Sequence, residues 1–248
     1  MKYTLITGAS SGIGKAMAYK FAKEKHNLII VARRLEALEA MKGEIESEYG
    51  VEVKVIASDL SVEANAYKLY EQLEGTEVEV LVNNAGFGNF NNLWEVDIAH
   101  MVKMIELNVK TLSILSMLYT RDYKDKEAQL INVSSVGGYL TMPTAATYIA
   151  TKFYVSAFTE SLAHELKNVN SPMKAKILAP GPVETEFIDV ANETAKNEID
   201  GAGFTFHTAE QMADFTYQLY LSDDVVGIVD MSDMSFATKP AIYPSFGI

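Results

Sequence analysis

A chain of 248 residues, 48% hydrophobic and 22% charged, is long enough for one α/β domain with a substantial core. A formal net charge of −12 argues against nucleic acid or an anionic membrane as a partner. Cysteine is absent, which removes disulfides, thiol catalysis and thiolate metal sites and is consistent with a reducing, cytoplasmic setting. No apolar run approaches the roughly 18 residues of a spanning helix. Met1-Lys2-Tyr3 leads straight into a strand-like run, so a secretory leader is not expected. The nearest approach to a zinc motif is His164-Glu165, but Asn168 stands where a second ligand is needed. No metal is expected, and His164 reads as a helix-surface residue.

The first strand-like run, Tyr3–Thr7, enters Gly8-Ala9-Ser10-Ser11-Gly12-Ile13-Gly14, and a helical pattern follows over 12–24. Strand, glycine turn and helix in that order aim backbone N–H groups and a helix dipole at an anion. The spacing G-x-x-x-G-x-G differs from the usual dinucleotide fingerprint, and taken alone it is also what an ordinary Gly-rich turn looks like. The second strand, Leu28–Ala32, ends on Arg33-Arg34, with a helix expected over 34–49. In a dinucleotide fold, arginine at this point holds a 2′-phosphate. The alternative is a solvated helix start, although a cation sits poorly at a helix N-terminus.

The third strand, Val51–Ala57, is followed by Asp59-Leu60 and a helix over 62–74; Asp59 suits either a cap or a ligand contact. After the fourth strand, Val78–Val82, come Asn83-Asn84-Ala85-Gly86, a turn or a place of close backbone approach to a cofactor. A long apolar helix over 97–124 carries Asn108 inside it. Asparagine is a mediocre helix former, so it either sits on a solvated face or uses its amide or a freed carbonyl near a site. The fifth strand, Gln129–Val133, ends in Ser134-Ser135. Either serine can be a turn former, or a hydroxyl at the strand terminus can hold a substrate oxygen.

In the helix read over 143–168, Tyr148 and Lys152 share a face. An adjacent ammonium favours a phenolate, which makes a workable acid/base pair. Composition alone supplies about one such spacing by chance, and Tyr19 and Lys23 match it too. The sixth strand, Lys174–Ala179, leads into Pro180-Gly181-Pro182-Val183-Glu184-Thr185. The long polar excursion over 186–206 then reads as a lid or binding loop. Thr208-Ala209-Glu210-Gln211 is a capping box opening a helix over 208–221, and Val225–Asp230 is the last strand-like run. Strands separated by helix-length connections imply one doubly wound parallel sheet with helices on both faces, a single domain over 1–248.

Taken in order, these motifs resemble the short-chain dehydrogenase/reductase family in its compact single-domain branch. The resemblance implies a Rossmann fold and an NADP-dependent oxidoreductase interconverting a carbonyl and an alcohol. Tyr148 would be the general acid/base, Lys152 would lower its pKa and bind the nicotinamide ribose, Ser135 would position the substrate oxygen, and Asn108 would hold a water. Gly8, Ser10, Ser11, Gly12, Ile13, Gly14, Asp59, Leu60, Asn83, Ala85 and Gly86 would line the phosphate and adenosine side. Pro180, Gly181, Val183 and Thr185 would seat the nicotinamide, while Arg33 and Arg34 match the family's basic pattern for NADP. A small-molecule substrate and a homodimer or homotetramer are implied as partners. A binding or regulatory protein that retains the cofactor site is the competing class; the presence of Ser135, Tyr148 and Lys152 together favours catalysis. Two features depart from the family: Thr151 stands where serine is common, and the chain from Asp230 onward lacks the usual Gly-Gly turn. Phe87–Phe90, Val136–Met142 and the loop with Phe187, Phe204 and Phe206 suggest a substrate with a hydrophobic body.

Overall fold

A computed structural model describes residues 2–187 and 206–245. Eight strands form one sheet: β1 (Lys2–Thr7), β2 (Asn27–Ala32), β3 (Val53–Ala57), β4 (Glu77–Asn83), β5 (Gln129–Val133), β6 (Lys174–Ala179), β7 (Val226–Val229) and β8 (Phe236–Lys239). Their order is β3-β2-β1-β4-β5-β6-β7-β8. The pairings from β3 through β7 are parallel, as a chain of strand–helix–strand units requires. The one exception is at an edge, where β8, a strand that the sequence reading did not include, lies antiparallel on β7. Phe236-Ala237-Thr238-Lys239 is short and half-exposed, so it has little alternation to reveal it.

The strands are apolar because both faces are covered. Along β2, Leu28 and Ile30 pack with Met17, Phe21 and Leu38 on one side, and Ile29 and Val31 pack with Leu69, Leu115 and Tyr119 on the other. Each such side chain contributes about 1.5–3 kcal/mol by leaving water. The covering helices are α1 (Gly12–Lys23), α2 (Leu35–Tyr49), α3 (Glu63–Glu71), α4 (Ile98–Ile105), α5 (Leu112–Tyr123), α6 (Ala146–Asn168) and α7 (Ala209–Leu221). The Thr208/Gln211 capping box at the start of α7 is formed. The far end of α7 is closed by Lys176, whose buried ammonium donates to the carbonyls of Leu219, Tyr220 and Ser222.

The helix expected over 97–124 is three segments: α4, a π-helical turn over Glu106–Thr111, and α5. The wider turn faces Asn108 and Thr111 inward, where both are buried. Thr111 there donates to the Leu60 carbonyl at 2.6 Å. After β8 the chain returns across α6, and the N–H groups of Ile242 and Tyr243 donate to the Glu160 carboxylate at 2.6 and 2.8 Å. His164 is not the surface residue expected; it is half-buried on α6 and its Nε2 has no hydrogen-bond partner. Among the described residues no helix is long and apolar enough to cross a membrane.

Candidate active site

The strand order reverses direction between β1 and β4, which opens a crevice at their carboxyl ends. The glycine turn lies there. Gly12 has φ +53°, and a Cβ at Gly14 would stand 2.3 Å from the Gly8 carbonyl oxygen, so the turn closes this tightly only with glycine. Asn84 fixes the turn against β4, donating from Nδ2 to the Thr7 carbonyl at 3.0 Å. The Thr7 hydroxyl in turn accepts from the Asn84 and Ala85 N–H groups. Ser11, the residue before α1, makes no capping hydrogen bond, and the first turn of α1 holds no acid. A helix N-terminus left without a cap or counter-charge fits an anion such as a dinucleotide pyrophosphate.

Arg34 reaches back over this turn. Its Nε donates to the Ser10 hydroxyl at 3.2 Å and its Nη2 to the Ser10 carbonyl at 3.1 Å, while Nη1 pairs with Glu186 Oε2 at 3.1 Å. Both arginines are exposed, and Arg34 sits at the start of α2, but these contacts turn its guanidinium back onto the glycine turn. Asp59 accepts from the Ser61 N–H and hydroxyl in a turn before α3. Burial works against its charge, but those two hydrogen bonds and then Arg33 hold the carboxyl below its usual range. Leu60 is buried, and Gly86 packs against the Asn108 amide.

The Asn83 side chain is buried in the core, donating to Ser116 Oγ at 3.1 Å and Asn132 Oδ1 at 3.0 Å. Successive residues at a strand end point to opposite faces, so it is Asn84 that meets the glycine turn. That alternation was the available signal, but nothing local told which of the two asparagines faces in.

Farther along the crevice, Ser134 turns into α6, where its hydroxyl meets the Lys152 carbonyl and Ser156. Ser135 turns the other way: its Oγ accepts from Gly137 N–H at 3.0 Å and, near the Tyr148 phenol, pulls the phenol pKa down. Tyr148 and Lys152 lie one turn apart on α6, both buried, with Lys152 Nζ 5.6 Å from the phenol ring centroid. That ammonium donates to the Val133 carbonyl at 3.0 Å. Burial pushes the Tyr148 phenol up to about 12 against the opposing pull of Ser135, and pushes Lys152 down to about 8. The ammonium thus stands over the ring face, and the group that acts on the hydroxyl is Ser135. The look-alike pair Tyr19 and Lys23 lacks such a site; the Tyr19 hydroxyl is spent on Glu44 at the surface.

The solvated-face reading of Asn108 is excluded. Its Nδ2 donates to the Phe87 carbonyl at 2.9 Å and to Thr151 Oγ1 at 3.2 Å, and its Oδ1 accepts from Phe87 N–H. Thr151, the departure from serine, is thus a partner in holding the loop after β4. Phe87, Phe90 and Phe187 pack around Tyr148 with Met104, Ala145 and Ile149. The rings of Phe90 and Phe187 stand 5.5 and 5.7 Å from that of Tyr148.

The segment after β6 closes the crevice. The Pro180 carbonyl accepts from Val136 N–H, Gly181 packs on Val229, and Val183 is buried against Met212. A Cβ at Gly12 would meet Thr185 Cβ at 3.3 Å, so Thr185 arches over the glycine turn. Val183 and His207 form a parallel bridge that ties together the two ends of the excursion. Phe204 and most of the expected binding loop lie outside the described residues, while Phe206 is half-buried beside the bridge.

A parallel sheet with a glycine turn at its switch point and helices on both faces defines a Rossmann-type fold. The family model for short chain dehydrogenases matches residues 2–196, and the chain belongs to that family. It is 33% identical over 170 residues to a 7beta-hydroxysteroid dehydrogenase of Clostridium sardiniense, a match covering 68% of this chain and 65% of that one. A short-chain dehydrogenase from Sphingobium yanoikuyae in complex with NADPH superposes with a TM-score of 0.83 at 26% identity, covering 92% of this chain and 87% of the other. A short-chain dehydrogenase/reductase from Burkholderia phymatum in complex with NAD gives 0.79 at 27% identity, covering 88% and 84%.

Proposed function

We propose that the chain is an NADP-dependent oxidoreductase that interconverts a carbonyl and an alcohol on a small molecule with a hydrophobic body. The observation that carries this reading is the buried Tyr148 phenol, with Ser135 beside it, flanked by the Lys152 ammonium and walled by aromatic rings. Gly8–Gly14, Asp59, Ala85, Gly86 and the Pro180–Thr185 segment would hold NADPH, whose nicotinamide would supply the hydride. In reduction Tyr148 delivers its proton to the carbonyl oxygen, and in oxidation the phenolate takes the alcohol proton back. Ser135 orients that oxygen, and the Lys152 ammonium stabilises the phenolate left behind. Asn108 holds the Phe87 backbone that walls the site. The relatives described above include NADPH- and NAD-bound proteins, so the preference for NADP rests on Arg34 at Ser10 and Arg33 beside it.

Turnover is found by following NADPH oxidation with a panel of ketones, aldehydes and 3-oxo acids. Tyr148→Phe is expected to keep NADPH affinity and to lose at least about 100-fold in kcat. Undiminished turnover in that variant removes Tyr148 from the mechanism. Arg33→Ala and Arg34→Ala are expected to erode the preference for NADPH over NADH; an unchanged ratio of dissociation constants refutes the phosphate role. A wild-type chain that binds NADPH yet reduces no member of the panel supports a regulatory role instead.

A further inference from the structure

Two adjacent residues after β6 touch the two halves of the crevice. Glu186 pairs with Arg34, which is itself fastened to Ser10 in the glycine turn, and Phe187 packs on Tyr148 and Phe90. Thr185, just before them, lies on Gly12. The strap 185–187 therefore runs from the phosphate end of the crevice to the acid/base pair. Arg34 has one guanidinium, and Ser10 already takes its Nε and Nη2. The remaining nitrogen, Nη1, is the one on which Glu186 sits.

We infer that Glu186 is a specificity-determining residue: its carboxylate competes with a 2′-phosphate for Arg34, and so the strap is tied to the identity of the dinucleotide. This inference rests on the reading of Arg34 as the phosphate-binding residue. A 2′-phosphate drawn to the same guanidinium comes to lie beside the Glu186 carboxylate, and the repulsion between the two anions sets them in competition for Arg34. A dinucleotide with a free 2′-hydroxyl leaves the pair intact. Glu186 therefore weakens NADP(H) binding selectively and leaves NAD(H) binding untouched. The pair is half-exposed, which limits the penalty to a few-fold.

The test is a set of direct binding titrations on the full chain, with NADPH and NADH followed by nicotinamide fluorescence and adenosine 2′,5′-bisphosphate by calorimetry. Glu186→Gln keeps the size of the side chain and removes its charge. It is expected to tighten NADPH and adenosine 2′,5′-bisphosphate about threefold and to leave the NADH dissociation constant unchanged. Competition is shown by a cycle: in an Arg34→Ala background the same Glu186→Gln change has no effect on NADPH. Glu186→Asp, which keeps the charge, retains the wild-type ratio. If Arg34→Ala weakens NADPH selectively while Glu186→Gln changes nothing, the inference falls and the phosphate reading of Arg34 stands. If Arg34→Ala leaves the NADPH to NADH ratio untouched, the phosphate reading falls and takes the inference with it. Equal tightening of NADPH and NADH by Glu186→Gln also overturns it, since a general loosening of the strap explains that result without competition.

Discussion

Burial acts with opposite sign on Tyr148 and Lys152, because it favours the neutral form of each. The phenol is pushed up to about 12 and the ammonium down to about 8. Through neutral pH the phenol therefore keeps its proton and the amine its charge, which is the combination that the proposed reduction requires. Above about pH 8 Lys152 gives up its charge, and a phenolate formed by the proposed proton donation would lose its counter-ion. The rate of carbonyl reduction is accordingly expected to be level around pH 7 and to decline above about pH 8. A kcat profile against pH checks this; in Lys152→Met the rate is low throughout and the inflection is gone. Ser135, Tyr148 and Lys152 were legible as residue types at a spacing, but their electrostatics were not. The expectation that Lys152 lowers the phenol came from adjacency on a helix, whereas the ammonium is placed over the ring by the Val133 carbonyl on another element. The choice between Asn83 and Asn84 was hidden for the same reason, since the Asn83 partners Ser116 and Asn132 lie far along the chain.

Among the elements, those with a strong apolar period emerged from the sequence with nearly their observed limits, and those made by distant partners did not. The π-helical turn exists where Asn108 and Thr111 face Phe87, Thr151 and Leu60, and none of these is a local neighbour. β8 exists because β7 offers an edge. The returning segment after β8 depends on Glu160, which is buried on α6 and accepts from the Tyr139 hydroxyl as well as from Ile242 and Tyr243 N–H. The Tyr243 hydroxyl donates onward to the Gly138 carbonyl, so the C-terminal segment backs the short turn that carries Ser135. Glu160→Ala leaves three donors without an acceptor and is expected to cost about 2–3 kcal/mol of stability. Denaturant midpoints measure that loss, and amide exchange locates it: Ile242 and Tyr243 should exchange much faster while β1 and β4 stay protected. Unchanged protection at those two amides would show that the segment is held by something other than this carboxylate.

At the scale of the whole molecule, two apolar layers enclose the sheet, and the layer carrying α1 also joins the start of the chain to α7. There His26 is boxed by Phe21, Tyr217 and Tyr220, with its Nδ1 at 2.9 Å from the Thr4 hydroxyl. Burial lowers the His26 pKa below its usual 6.5, with Glu79 and Glu24 opposing. Below pH 6.5 the unfolded chain takes up a proton that the folded chain resists, so stability falls as pH drops from there towards the folded value. Urea midpoints at pH 8 and pH 5 should therefore differ, and His26→Phe should narrow that difference. The doubly wound architecture itself was readable, since strand and helix periods alternate without interruption and the glycine turn marks the switch point. One contact bears on how such a chain diversifies. Because Val183 and His207 are paired in the sheet-like bridge, the two stems of the excursion are fixed by the scaffold whatever lies between them. The entropy of closing a loop grows only logarithmically with its length, by about 0.6 kcal/mol for each doubling. A change of length between those stems therefore costs little in closure entropy, while the strap 185–187 just inside the first stem stays held against Gly12, Arg34 and Tyr148.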